Sequence, residues 1–175
     1  MTPNVIGLDL SITATGICLA DGECWTTGGP AKVGDYRLVN IVHAIRSACN
    51  ISKGLTQCGP DLVVIEDIPT HAHGAGVTAM VHGAVRVELI RASDPYVLVP
   101  PATLKKYATG RGNATKADMA VALYKRFGLE LDDDNQVDAF WLRAAGLDAL
   151  GFAPVVLPEV QRSVLGKVEW PAVEP

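Results

Sequence analysis

The 175-residue sequence contains no apolar run of the roughly 18 residues that a membrane-spanning helix needs, and no basic segment leading into a signal-type core at its N-terminus. Its four cysteines form no CxxC pair, so we expect buried free thiols rather than a zinc site or disulfides. Internal repeats and low-complexity segments are also absent. These absences predict a cytoplasmic protein without a membrane partner.

Charged residues make up only 19% of the sequence and apolar residues 49%, a balance typical of an ordered globular protein. The length suits one domain with a substantial core, which we assign to residues 1–150. Residues 151–175 contain Pro154, Pro158, Pro171 and Pro175. We predict that this proline-rich arm packs on the domain or on a partner.

The formal net charge of -4 argues at first against a nucleic-acid partner, but the charges are unevenly distributed. The segment 105–126 contains one acid, Asp118, and six basic residues: Lys105, Lys106, Arg111, Lys116, Lys125 and Arg126. The acids that follow are Glu130, Asp132, Asp133, Asp134 and Asp138. A basic strip beside an acid cluster is typical of a metal-dependent nuclease, although two solvated faces give the same count.

The hydrophobic pattern predicts an α/β domain with a mixed five-stranded sheet flanked by helices. Strands are expected at 4–10, at about 15–20, through Trp25, at 61–66 and at "YVLVP", and Asp21-Gly22 predicts a two-residue hairpin turn. Helices are expected at 35–57, 77–92 and 134–150, with two more around the Gly110–Gly112 loop, the later one closed by Gly128. The first three strands would form an antiparallel meander and the last two would be parallel.

Two of the predicted central strands end in an acid, Asp9 in "VIGLDLSITATGIC" and Glu66 in "DLVVIE". An acid followed by a small-residue loop is found in sugar kinases and actin-like ATPases, but those enzymes need a second domain that this length does not provide. Carboxyl ends of parallel strands share one edge of a sheet. Two carboxylates there repel and lose hydration, so a hard divalent cation between them is the simplest interpretation.

The stretch "DDDNQVDAFW" can complete this site, because Asp134, Asn135 and Asp138 share one helical face. Oxygen-only ligation favours Mg²⁺, or Mn²⁺, over Zn²⁺ and suits two-metal phosphodiester hydrolysis. Taken singly, each acid also fits a turn, a strand end or a helix cap. Weaker signals are the histidines His71, His73 and His82, for which a polar loop is favoured over a metal site, and the phosphate-loop-like Gly110-Arg111-Gly112.

Four segments together resemble the bacterial RuvC Holliday junction resolvases, and in particular their phage-encoded branch: "GLDLSITATG", "VVIEDI", "TLKKYATGRGNATKADM" and "DNQVDAFWLRAAG". The resemblance implies a ribonuclease H-like fold over residues 4–150 and a dimeric, Mg²⁺-dependent endonuclease that nicks four-way DNA junctions and related branched DNA. It implies metal binding by Asp9, Glu66 and Asp138. Lys105 and Lys116 match the family's lysines that contact DNA and support the scissile phosphate.

The sequence departs from that family at two places. Asn135 stands where many members carry a second acid, so either Asn135 or Asp134 completes the predicted metal site. Pro69, Thr70 and His71 occupy the loop where bacterial relatives present an aromatic wedge. Two alternatives remain open: an RNA-processing or flap nuclease of the same fold, and a junction-binding protein without cleavage.

We further expect Lys106 and Arg111 to join Lys105 and Lys116 in binding DNA. A four-way junction has approximate two-fold symmetry, so paired nicking predicts a homodimer. The expected interface is the apolar surface of the helix after Glu66, formed by Val77, Met80, Val81, Ala84, Val85 and Leu89.

Overall fold

A computed structural model describes residues 2–56, 59–68 and 75–172. Its strands are β1 (Val5–Asp9), β2 (Thr15–Cys18), β3 (Cys24–Thr27), β4 (Leu62–Glu66) and β5 (Tyr96–Val99). Its α-helices are α1 (Tyr36–Thr56), α2 (Ala75–Ala92), α3 (Pro101–Thr109), α4 (Lys116–Phe127), α5 (Asp134–Ala149) and α6 (Glu159–Arg162). Short 3-10 helices cover Ala31–Val33 and Ser163–Lys167.

The five strands form one sheet in the order β3-β2-β1-β4-β5. β1 pairs antiparallel with β2, and β2 pairs antiparallel with β3. β1 and β4 are parallel neighbours, as are β4 and β5. The predicted mixed sheet, with an antiparallel meander followed by parallel strands, is therefore confirmed.

Each face of the sheet carries its own core, because successive side chains of the central strands point in opposite directions. Ile6 and Leu8 of β1 pack with residues of α1 and α2 on one face. Val5 of β1 and Val64 of β4 pack with α3, α4, α5 and the C-terminal segment on the other. This explains why β1 and β4 read as continuous apolar runs: neither face of either strand meets water.

The hairpin between β2 and β3 differs from the predicted two-residue turn. The turn covers Leu19 to Gly22, with the Gly22 amide donating to the Leu19 carbonyl at 3.0 Å. Gly22, the last residue of this turn, has a φ of +96°. The Leu19 amide donates to the Glu23 carbonyl at 2.8 Å. Asp21-Gly22 therefore closes a three-residue loop. Glycine is needed there because it adopts the left-handed backbone that ends this loop.

Helix α5 approaches the sheet more closely than side chains of ordinary size would permit. A Cβ on Gly7 of β1 would lie 1.9 Å from the Ala139 carbonyl oxygen, and one on Gly16 of β2 would lie 2.1 Å from the Asn135 carbonyl oxygen. Two glycines on adjacent strands therefore form a shallow groove for the helix backbone. This packing sets how far Asn135 and Asp138, both on α5, stand from the ends of β1 and β4.

The surface of α2 corrects the expected dimer patch. Val81, Val85 and Leu89 are buried against the sheet, at 0%, 1% and 0% exposure. They belong to the core of the chain because their spacing matches the helix face that covers β1 and β4. Val77 and Met80 of the expected patch are exposed, and with Val87 and Ile90 they form the exposed apolar stripe of the helix.

The C-terminal segment folds back onto the helices. Leu157, Val164 and Leu165 are buried in the same core as α3 and α5. The stretch around Val160 consists of α6 and a 3-10 helix. Within the described ranges, no helix is long and apolar enough to span a bilayer.

Replacing Gly7 or Gly16 with alanine should push α5 away from the sheet, because the added methyl would meet backbone atoms that cannot rotate aside. We expect a loss of at least about 3 kcal/mol in the free energy of unfolding, measured by urea denaturation. The control is Gly83, an exposed glycine of α2 where an added Cβ would meet no atom within 4 Å. Gly83→Ala should stabilise by about 0.5–1 kcal/mol. Equal effects at Gly7 and Gly83 would contradict the close approach.

Candidate metal centre and nucleic-acid interface

Asp9 and Glu66 are brought together by the register of β1 and β4. Leu8 of β1 is paired with Ile65 of β4, so the final residues of the two strands lie side by side. Leu8 and Ile65 point to the face covered by α1 and α2, and alternation turns the next two side chains to the other face. Both carboxylates therefore lie on the face that carries α5.

Helix α5 supplies Asp138 to the same edge. The residue before it, Val137, is buried in the core, and the carbonyl after it, that of Ala139, sits against Gly7. Charge on Asp138 raises the pKa values of both Asp9 and Glu66, so the three carboxyls act on one another. The structure thus brings together the three acids that the sequence singled out.

The pKa values of all three carboxyls are raised, first by burial and then, for two of them, by mutual repulsion. The pKa of Asp9 rises from 3.8 to about 7, through burial and the charge on Asp138. The pKa of Glu66 rises from 4.5 to about 8, through burial and the charge on Asp9. Burial raises the pKa of Asp138 to about 6, against the opposing charges of Lys105 and Lys116. Because all three pKa values stay raised, the nearby positive charge does not fully offset the burial and repulsion of these carboxyls.

Asn135 and Asp134, the two candidates for completing the site, have different surroundings. In the amide orientation that satisfies its neighbours, Asn135 Nδ2 donates to the Ala14 carbonyl at 3.2 Å and to Asp9 Oδ2 at 3.3 Å. Asp134 Oδ2 is instead ion-paired with Lys116 Nζ. Asn135 is therefore the residue in contact with the acid cluster. Its neutral amide stabilises the Asp9 carboxylate without adding a fourth negative charge.

Asp133 caps the N-terminus of α5. Its Oδ1 accepts from the Gln136 amide at 2.9 Å, and its Oδ2 accepts from the Thr26 hydroxyl at 2.5 Å. Burial raises the pKa of Asp133, but these hydrogen bonds outweigh it and the net shift is downward. The cap therefore fastens the first turn of α5, with Asn135, to strand β3.

The predicted DNA-binding residues fall into two pairs. Lys105 of α3 and Lys116 of α4 lie close enough to the acids to lower the pKa values of Glu66 and Asp138. Lys116 is mostly exposed, and its surface ion pair with Asp134 is of a kind that contributes little stability. The lysine can therefore exchange this partner for a phosphate at small cost.

Lys106 and Arg111 form the second pair, in α3 and in the loop after it. Lys106 is half-buried in the last turn of α3. Arg111 Nη2 is 2.9 Å from Asp118 Oδ1, and Asp118 also accepts from the Thr115 amide in the capping box of α4. Arg111 thus shares its charge with an acid in the free protein.

Sequence reasoning missed the residues that shape the site without contributing charge. Thr15, fully buried, donates from Oγ1 to the Ser11 carbonyl at 2.6 Å and accepts from the Ser11 amide at 3.1 Å. These bonds close the loop that follows Asp9. Gly7 and Gly16 were also missed. The signal available was a glycine inside each of two strand patterns, which indicates close backbone approach.

His82 does not lie in a polar loop, the location that the sequence favoured for the histidines. This side chain is buried on α2, and burial lowers its pKa. His71, His73 and the loop residues Pro69 and Thr70 lie outside the described residues.

The donor set at the sheet edge fits a hard divalent cation, although the side chains are not gathered around one. Across the described ranges, no group of three or more His, Cys, Asp or Glu side chains is arranged to hold a metal ion. The carboxyls of Asp9, Glu66 and Asp138 offer oxygen ligands only, and their raised pKa values show charge that a cation would offset.

Comparisons with known proteins agree with this geometry. No family model matches the chain. The chain is 28% identical over 131 residues to the crossover junction endodeoxyribonuclease RuvC of Frankia casuarinae, an alignment covering 71% of this chain and 76% of that protein.

Solved structures give the same answer for the fold. The structure of Thermus thermophilus RuvC matches with a TM-score of 0.63 at 22% identity, covering 87% of this chain and 99% of that one. The complex of T. thermophilus RuvC with a Holliday junction substrate also matches with a TM-score of 0.63 at 22% identity, over 88% of this chain and 99% of that one. The chain therefore has a ribonuclease H-like fold. Its sequence is similar to that of a RuvC crossover junction endodeoxyribonuclease, the family that the sequence resemblance named.

The raised carboxyl pKa values predict a pH-dependent stability of the metal-free protein. Between the ordinary carboxyl values and the raised values of about 6, 7 and 8, the folded chain binds more protons than the unfolded chain. This contribution to stability is complete below the ordinary values and is lost as pH rises through the raised ones. In EDTA, Asp9→Asn should therefore stabilise the protein near pH 8 and have little effect near pH 4, measured by thermal melting.

Mg²⁺ should raise the melting temperature of the unmodified protein more at pH 8 than at pH 5, because the cation binds the ionised carboxyls. Glu23→Gln, an exposed acid in the hairpin loop, is the control for loss of one negative charge. If Asp9→Asn and Glu23→Gln change the melting temperature equally at pH 8, the acids at the sheet edge do not repel one another.

Proposed function

We propose that this chain is a divalent-metal-dependent endonuclease that resolves four-way DNA junctions by hydrolysing phosphodiester bonds. The observation that carries the proposal is the convergence of Asp9, Glu66 and Asp138, from two strands and one helix, at the edge of a RuvC-like fold. Homology to a crossover junction endodeoxyribonuclease over 71% of the chain supports the substrate class. A protein acting on DNA with no membrane-spanning helix in its described part fits a cytoplasmic location.

Asp9, Glu66 and Asp138 would hold the cation, with Asn135 as the neutral neighbour that holds Asp9 in place. Oxygen-only ligation favours Mg²⁺, and Mn²⁺ is the expected substitute. When bound, such an ion supplies a nucleophilic water and neutralises charge that develops on the phosphate. The chain itself contributes no nucleophilic side chain to this chemistry. The acids would orient the reacting groups, and the packing of α5 against the sheet fixes how far Asp138 lies from Asp9 and Glu66.

The cationic side chains around the acids would place the DNA backbone. Lys105 and Lys116 are near enough to the carboxyls to face the scissile phosphate, and Lys116 becomes available once it leaves Asp134. Lys106 and Arg111 extend the positive surface along α3 and the loop after it. These residues bind phosphates irrespective of base sequence, so they supply affinity and register rather than sequence preference.

Paired nicking of a junction needs two such sites, and we include a two-fold homodimer in the proposal. Asp9, Glu66 and Asp138 of one chain form one cluster, so two chains together would supply the two sites. The apolar stripe of Val77, Met80, Val87 and Ile90 leaves side chains of α2 between 41% and 62% exposed. A self-complementary contact between two such stripes would bury them and place two clusters in one assembly.

Asp9→Asn, Glu66→Gln and Asp138→Asn should each abolish cleavage of a labelled mobile four-way junction, because each removes a metal ligand. Junction binding should persist, since the basic surface is intact. The assay compares a junction, a flap, a linear duplex and a matched RNA junction, each with Mg²⁺ or EDTA. Glu23→Gln, far from the sheet edge, should cleave like the unmodified protein.

Preferential cleavage of the flap or the RNA would replace junction resolution with one of the two other nuclease activities. Binding of the junction without cleavage in Mg²⁺ or Mn²⁺ would identify a non-cleaving junction-binding protein. Loss of binding in all three acid variants would assign those residues a structural role instead.

Met80→Glu should convert the dimer into a folded monomer that nicks a junction on one strand only, because a charge in the apolar stripe opposes its burial. Sedimentation at micromolar concentration measures the assembly. Val81→Glu is the contrasting variant: the side chain is fully buried, so this change should unfold the chain rather than dissociate it. An unmodified protein that sediments as a monomer would contradict the proposed interface.

A further inference from the structure

The C-terminal segment contacts each of the three helices that carry the candidate site residues. The Val156 carbonyl accepts from Arg126 Nη1 of α4 at 3.4 Å. Gln161 Nε2 donates to the Tyr107 carbonyl of α3 at 2.7 Å. Arg162 pairs with Asp148 of α5, its Nη2 lying 2.5 Å from Oδ1.

The strongest of these contacts is organised around one buried carboxylate. The side chain of Asp148 is 1% exposed, and both of its oxygens accept from Arg162 Nε, at 3.1 and 3.0 Å. Asp148 Oδ2 also accepts from the Tyr107 hydroxyl at 3.2 Å. Tyr107 is itself fully buried, with its ring edge-on to Trp141 at 6.0 Å between centroids. The pair of Arg162 and Asp148 therefore contacts the buried side of α3 through the Tyr107 hydroxyl.

The contact with Gln161 holds the same helix at its end. The last four carbonyls of a helix have no partner within it, and that of Tyr107 is one of them in α3. The buried side chain of Gln161 supplies the missing donor. Gln161 of the segment thus contacts Tyr107 directly, and Arg162 reaches the same residue through Asp148 of α5.

Stability alone is a weak reason for this arrangement. Asp148 is buried while Arg162 remains 42% exposed, and such a pair often gives no more stability than apolar residues of the same volume, because the buried carboxylate loses its hydration. What such a pair does provide is a defined geometry, since a bidentate arginine accepts only one arrangement of its partner. The geometry fixed here is that of the nine-residue helix that carries Lys105 and Lys106.

We propose that Arg162 is a positioning residue: through Asp148 and Tyr107, the C-terminal segment sets α3 so that Lys105 faces the acid cluster and the DNA backbone. Leu104 and Tyr107 point into the core from the helix that carries Lys105, so a shift at Tyr107 moves the lysine. The inference rests on the proposed nuclease function for its consequence, but not for the contact itself.

Asp148→Asn and Arg162→Ala test it in the full-length protein. Both should speed amide hydrogen exchange in α3 by roughly ten- to hundredfold, the effect of losing hydrogen bonds to a charged group, and leave β1 and β4 unchanged. Lys167→Ala, which removes an exposed cation from the same segment, is the matched control and should leave amide exchange unchanged in α3, β1 and β4. Unchanged exchange in α3 in both variants would overturn the proposal without any use of DNA.

The second measurement is the salt dependence of junction binding in an Asp9→Asn background. Lys105→Ala should lower the slope of log K against log salt by about one unit. Asp148→Asn should lower it equally, and combining the two should lower it no further. Single-turnover cleavage at saturating protein should fall about tenfold or more in Asp148→Asn with Asp9 restored.

Asp148→Asn retains the positive charge of Arg162, so it separates positioning from direct DNA contact. A normal slope and cleavage rate in Asp148→Asn, with both reduced in Arg162→Ala, would show that Arg162 touches DNA itself and would refute the proposal. A lower melting temperature with normal slope and rate would refute it as well, leaving a structural role. A wild-type chain that does not bind junctions would refute the proposed function, and exchange in α3 would still decide whether the segment holds that helix.

Discussion

The close contact between helix α5 and strands β1 and β2 is the constraint on which the rest of the site depends. Gly7 and Gly16 leave no Cβ where the helix backbone passes, and their missing atoms would stand 1.9 and 2.1 Å from carbonyl oxygens of α5. Because the helix is held this close, Asn135 reaches Asp9 and Asp138 acts on both strand-end acids. A looser helix would separate the carboxyls and relieve their repulsion, and with it the preference for a cation.

Acidic and basic side chains lie close together around this contact. Burial raises the pKa values of Asp9, Glu66 and Asp138, and repulsion by neighbouring acids adds to the shifts of Asp9 and Glu66, so ionising these carboxyls is unfavourable in the free chain. Lys105 and Lys116 offset part of these shifts. The net charge of -4 hides this local balance, since the acidic and basic groups lie on neighbouring elements of one face. A cation and a phosphate together would satisfy both sets.

Much of the fold could be predicted from the sequence because the signals were local. The strands ending at Asp9 and Glu66 are continuous apolar runs, and the last residues of α3 and α4 are followed by glycines with positive φ, at Gly110 and Gly128. The predictions that failed depended on which neighbour covers a surface. Val81, Val85 and Leu89 have the helical spacing of an exposed patch as well as that of a core face, and the sheet covers them. The hairpin turn was misplaced because Asp21-Gly22 fits both loop lengths.

The sequence by itself determined the order of the strands and helices, the acids at two strand ends and the resemblance to the RuvC resolvases, because these follow from local patterning and linear motifs. Only the tertiary structure placed Asn135 against Asp9 and Asp134 against Lys116, since both residues share a helix face in the sequence and these partners come from elsewhere in the chain. It also placed the C-terminal arm against α3 and α5. Arg162 and Asp148 lie at positions that match no sequence motif. Only the packing of the segment against α3 and α5 brings Arg162 Nη2 to 2.5 Å from Asp148 Oδ1.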